Sequence, residues 1–202
     1  MFSLRQFWLY CWGTIVHPDN TFIDVIGKKS KVAYGFAAVM LLSILYSISV
    51  FIGFIKGMSP GGYEPFLKIP TESYYLWQTF FTIPVGLIGW ILFAGSAQLL
   101  SKKLGGQGTF EDNLAVLGLP FVLMLPLSWL PEIMVTVFTP ELWGTPKWGT
   151  IDVILVGVST LWFLIVSVIA LRRAQNLPLG RAVFTALVSL VPVIGLQMTY
   201  IH

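Results

Sequence analysis

The sequence predicts an all-α, polytopic membrane protein: five transmembrane helices preceded by an N-terminal interfacial amphipathic helix. Three observations predict it. Of 202 residues, 56% are hydrophobic and only 10% charged, whereas soluble domains carry about 25% charged residues. Charge-free runs recur at the length of about 20 helical residues that a hydrocarbon core of about 30 Å requires. Lipid cannot satisfy free backbone groups, so each such run reads as a helix. Finally, Lys and Arg are distributed unevenly about those runs.

The chain, 1–202, reads as one membrane domain. Residues 1–31 form an interfacial N-terminal region, and the spans lie at about 32–55, 73–100, 113–138, 152–171 and 182–201. At the start, Arg5 followed by the apolar stretch 7–16 imitates a signal peptide, but no small-x-small cleavage site follows. The stretch is too short to span. Leu4, Trp8, Cys11 and Ile15 share one helical face and Ser3, Gln6, Gly13 and His17 another, which fits a helix lying in the interface with Trp8, Tyr10 and Trp12 at headgroup depth. Pro18 disfavours helix at His17, and Asp19 or Asn20 is expected to cap a second helix carrying Phe22, Val25 and Ile26.

The connection 57–72 holds Ser59, Pro60, Gly61 and Gly62 as turn residues, with Tyr63, Phe66, Tyr74 and Tyr75 as aromatic anchors. The connection 101–109, rich in Gly and bearing Lys102 and Lys103, reads as a flexible loop. It ends at Thr109, a cap for the third span whose first turn carries Glu111 and Asp112 against the positive helix end. Pro120, Pro126 and Pro131 interrupt that span, with Pro84 in the second and Pro192 in the fifth; such broken helices can line a transport site, but all five read as ordinary kinks that neighbouring helices tolerate. Small residues at Ala33, Ala37, Ser43, Ser47, Gly86, Gly89 and Gly95 suit close helix packing, and a homo-oligomer is a further use for them.

Five spans put the termini on opposite sides. With the N-terminus inside, Arg5, Lys28, Lys29, Lys31, Lys102, Lys103, Arg172, Arg173 and Arg181 are inside, nine of the twelve basic residues, and only Lys56, Lys68 and Lys147 are outside. The expected location is a cytoplasmic membrane of prokaryotic type, with N-terminus cytoplasmic and C-terminus outside.

Chemistry is sparse. His17, His202 and Cys11 are the only imidazoles and thiol, and the two histidines fall on opposite sides, so neither a metal centre nor a Ser-His hydrolase is expected. Phosphate and dinucleotide fingerprints are absent, and the expectation is a non-enzymatic protein with no catalytic, cofactor or metal site and no nucleic-acid partner. Two features remain. Lys102, Lys103, Arg172, Arg173 and Arg181 should converge at one end of the bundle, where they either merely fix topology or contact anionic lipid headgroups or a protein partner. Glu132 is the acid to weigh for transport. It snorkels to water if the third span ends near Pro131, or lies roughly 9 Å below the span's end if the helix continues to Phe138.

His17-Pro18-Asp19-Asn20-Thr21-Phe22 followed by Lys28-Lys29, then Gly105-Gly106-Gln107-Gly108-Thr109-Phe110 leading to Ala115-Val116-Leu117-Gly118 and prolines, then Arg172-Arg173 before the last helix, resembles the Yip-domain family. The resemblance covers nearly the whole chain and is to a compact, prokaryotic-type member. It implies five spans, a cytosolic N-terminus and a membrane-organising or protein-interaction role of the trafficking-related kind. Eukaryotic relatives bind Rab-type GTPases, and this chain has Leu119 where an aromatic residue often follows the third-span glycine. A small-solute or ion transporter using Glu132 and proline-broken helices is the alternative, and an intramembrane enzyme a distant third.

Overall fold

The structure, a computed structural model, describes residues 2–58, 60 and 69–200. The turn residues Ser59, Gly61 and Gly62, the anchors Tyr63 and Phe66, Lys68 and His202 lie outside the described residues. Among the described residues the structure is helical without strands.

Ser3 starts helix α1 (Leu4–Val16) by accepting the Gln6 amide at 3.4 Å. His17, at φ −136°, then ends α1 and begins α2 (Pro18–Ile26). The expected cap at Asp19 or Asn20 is corrected to His17. Proline lacks an N–H and has its φ preset for the first helical position, so Pro18 takes that place and Asp19 falls in the first turn.

Five helical stretches are long and apolar enough to cross a membrane: Lys31–Ile55, Thr71–Lys103, Phe110–Phe138, Pro146–Gln175 and Leu179–Thr199. The protein is an integral, multi-pass membrane protein. The spans comprise α3 (Lys31–Ile55), α4 (Tyr74–Lys103), a broken third span, α7 (Pro146–Gln175) and α8 (Leu179–Tyr200). Pro84 and Pro192 lie within unbroken α4 and α8. The third span behaves differently, because Pro120, Pro126 and Pro131 each remove a ladder donor within twelve residues. It runs as α5 (Phe110–Gly118), tightens to a 3₁₀ turn over Leu119–Leu123, widens to a π turn over Leu125–Trp129 and resumes as α6 (Leu130–Phe138). Side chains brace the widened turn: Trp129 Nε1 donates to Ser49 Oγ at 2.8 Å, and Tyr46 and Ser128 share a hydrogen bond of 2.5 Å.

Where spans cross most closely, glycines face each other. A Cβ on Gly118 would lie 2.5 Å from Gly35 Cα, and one on Gly35 would lie 2.8 Å from the Ala115 carbonyl oxygen, so α3 and α5 touch backbone to backbone. Gly86 similarly receives Ser43.

The main core is concentrated in the half of the bundle that carries most basic residues, here called the basic end. Phe93, Ala94 and Ala97 of α4, Ala115, Val116 and Leu117 of α5, Leu171 of α7 and Ala182 and Ala186 of α8 meet there. Phe22 and Val25 of α2 are fully buried in the same cluster. Helix α1 joins it through Phe7, Tyr10 and Cys11, leaving Leu4, Trp8, Leu9, Trp12 and Val16 exposed. This corrects the expected two-faced helix: Cys11 belongs to the face turned to the bundle, because α1 packs on protein as well as presenting an apolar outer face. Among the described residues, Val50, Tyr74 and Tyr75 form a smaller buried cluster at the opposite end.

Candidate functional site

Three spans bring a polar side chain to the same level at the basic end: Gln98 of α4, Asn113 of α5 and Gln175 of α7. Gln175 Nε2 donates to Gln98 Oε1 at 2.8 Å and to Asn113 Oδ1 at 2.9 Å, and Asn113 Nδ2 donates to Gln98 Oε1 at 2.9 Å. Gln175 and Asn113 are fully buried. Primary amides both donate and accept, so three of them link three spans without any charge, with Gln175 Oε1 left without a hydrogen-bond partner among the described residues.

The glycine-rich connection covers this network. Gln107 N donates to the Gln175 carbonyl at 3.1 Å, Gly106 N to the Ser101 carbonyl at 2.7 Å, and Gln98 Nε2 to the Gly108 carbonyl at 3.1 Å. A Cβ on Gly108 would collide with the Ala174 carbonyl oxygen, and one on Gly106 would lie 2.8 Å from Gln175 Oε1. The expectation of a flexible loop is thereby corrected. These glycines permit close approach of backbone to α7, and only Gly105, at φ +87°, needs glycine for its conformation.

Below the connection, Thr109 and Asp112 form a reciprocal capping box: Asp112 N donates to Thr109 Oγ1 at 3.2 Å and Thr109 N to Asp112 Oδ2 at 2.8 Å. Asp112 also pairs with Lys31 at 2.6 Å, tying α5 to the start of α3. Arg173 makes two hydrogen bonds of 2.5 Å to Asp19, tying α7 to α2. That guanidinium holds the Asp19 carboxyl below the usual carboxylate range. Tyr10 donates to Asp24 at 2.6 Å and Lys28 pairs with the same carboxylate at 2.9 Å, and together they lower its pKa.

The five basic residues singled out by sequence therefore divide. Arg173 is engaged by Asp19, and Arg181 Nη1 donates to the Leu104 carbonyl at 2.8 Å. Lys102, Lys103 and Arg172 are exposed and make no hydrogen bond or ion pair among the described residues. Gln98, Asn113 and Gln175 were missed by sequence reasoning. Their signal was a polar amide near the end of each of three spans, all ends of one side.

At the opposite end, Lys56 Nζ donates to the Val137 carbonyl at 2.6 Å. The helix continues to Phe138, so the second of the two placements for Glu132 holds. Glu132 sits in the first turn of α6, partly buried, beside Tyr46 and within the field of Asp152. Glu132 lines neither the groove along α1, formed by Trp8, Trp12, Leu41, Leu125 and Trp129 among others, nor the pocket on α2. Among the described residues no group of three or more His, Cys, Asp or Glu side chains could hold a metal.

Comparison with known proteins agrees with this architecture. The family model described as the Yip1 domain matches residues 12–201. A curated but uncharacterized protein of Methanocaldococcus jannaschii is 29% identical over 110 residues, covering 54% of this chain and 75% of that protein. No solved structure matches.

Proposed function

Because the chain belongs to the Yip1-domain family, whose members are non-enzymatic membrane proteins of a trafficking-related kind, we propose that it is itself non-enzymatic and organises membrane or protein partners from its basic end. The observation that carries this reading is the division of the basic residues. Arg173, Arg181, Lys28 and Lys31 are engaged within the fold, leaving Lys102, Lys103 and Arg172 exposed on a surface held rigid by the amide network. Such a cationic surface suits an acidic protein face or anionic headgroups, because contact need order only the three side chains and not the backbone that carries them.

In this reading the basic end is cytoplasmic, as the nine-to-three distribution of Lys and Arg favours, in a cytoplasmic membrane of prokaryotic type. Replacing Lys102, Lys103 and Arg172 together with Gln removes the surface while leaving Arg173 on Asp19. The expected result is loss of cross-linked partner in native membranes with unchanged topology and thermal stability. Undiminished cross-linking and unchanged retention of anionic lipid would overturn the reading.

A further inference from the structure

Between α1, α3 and the broken third span runs a groove of about 500 Å³. Trp8, Cys11, Trp12 and Ile15 form one wall, Leu41 and Leu45 a second, and Val122, Leu125, Pro126, Trp129 and Leu130 the third. Its third wall spans nine residues of helical chain, Val122 to Leu130, about 12 Å along the bundle axis. Trp129 Nε1 already donates to Ser49, and apart from the indole N–H groups of Trp8 and Trp12 and the Cys11 thiol the lining side chains are hydrocarbon, which suits an acyl chain better than ordered water. The groove opens beside Trp8, Trp12 and Leu130, which are 52%, 66% and 48% exposed, and is therefore continuous with the surface that faces lipid.

Its end at α1 is marked by charge. Arg5, Trp8 and Trp12 follow one another at i, i+3 and i+7 on one exposed helical face. Arg5 makes no hydrogen bond or ion pair among the described residues. Indoles favour headgroup depth, and an arginine fork matches phosphate oxygens.

We infer that this groove seats one acyl chain of an anionic phospholipid, with Arg5 over its phosphate. Three elements contact the chain here, whereas a smooth helix face offers contact on one side only, so this lipid exchanges more slowly than its neighbours. Burial pushes the Cys11 thiol up to about 12, so it stays protonated at neutral pH and contributes to the groove wall as a small apolar group. The site is independent of Lys102, Lys103 and Arg172.

The test uses the full chain in nanodiscs of phosphatidylcholine doped with phosphatidylglycerol carrying a photoactivatable group in one acyl chain. Adducts should concentrate on residues 8–15 and 122–130 over the exposed α8 residues Leu187 and Val191. Arg5→Gln should lower phosphatidylglycerol labelling about fivefold, the factor expected of one basic residue at a membrane surface, and labelling by the matching phosphatidylcholine probe by less, because the choline charge offsets that lipid's phosphate. Ile15→Trp, which fills the groove, should abolish both. Should that variant not fold, the adduct map of the unmodified protein decides. Adducts spread evenly over all lipid-facing helices, or an Arg5→Gln variant that labels as before, would overturn the inference.

Discussion

Gln175 shows how one side chain can be indispensable without being charged. Its amide serves acceptors on two other spans while its own backbone carbonyl holds the glycine-rich connection. Leucine at this position strands Asn113 Oδ1 in a buried setting, and an unpaired buried polar atom costs about 1–3 kcal/mol. Thermal unfolding in detergent should show a loss of that size for Gln175→Leu. Adding Asn113→Leu should cost less than the sum of the single changes, because both partners of the broken bond are then apolar. Asp19 acts differently, through charge. Its pKa is lowered in the folded state by Arg173, so the stability it contributes is present above its ordinary value near 4 and is lost as pH falls through the folded value. The unfolding midpoint should therefore decline below about pH 4, and Asp19→Asn should remove that part of the decline. The effect should shrink with added salt, since both partners are nearly half exposed.

At the scale of elements, sequence and structure agree where a single physical requirement governs. Charge-free length placed all five spans, because an apolar run of about 20 residues satisfies its own backbone groups in lipid as a helix, and Thr109 announced the start of the third. Its capping box should contribute about 1 kcal/mol, and Thr109→Ala should lower stability by that amount. Asp112→Asn should lower it further, because it also loses the Lys31 pair. What escaped the sequence required knowledge of neighbours. Three prolines in the third span promised interruption, yet whether they kink, tighten or widen the helix depends on Tyr46 and Ser49 of α3, some eighty residues earlier. The Gly35–Gly118 crossing is invisible to composition for the same reason. Glycine in a connection is read as freedom, and only Ala174 and Gln175 packed against it reveal Gly106 and Gly108 as points of contact.

The whole molecule is unequal along its length. Its main core, the amide network and three ion pairs gather at the basic end. The last turns of α8, around Val191, Ile194 and Met198, are exposed. Orientation is the property at this scale that charge asymmetry predicts. In a Cys11→Ser background, a cysteine at Gly149, which has open space around it, should react with an impermeant thiol reagent applied outside intact cells. One at Lys103 should react only after the membrane is opened. Lys103 is the better reporter than any of the packed glycines, because a side chain is already exposed there. Reversal of this pattern would invert the assigned topology.

The amide triangle also imposes an order of assembly. Gln98 and Asn113 lie on consecutive spans and can pair as soon as the second and third have entered the bilayer, but Gln175 arrives only when α7 is complete. Until then Asn113 Oδ1 has no donor, and the glycine-rich connection has no α7 backbone to rest against. A ribosome-bound chain halted before residue 175 thus displays an unfinished polar seam at the membrane surface.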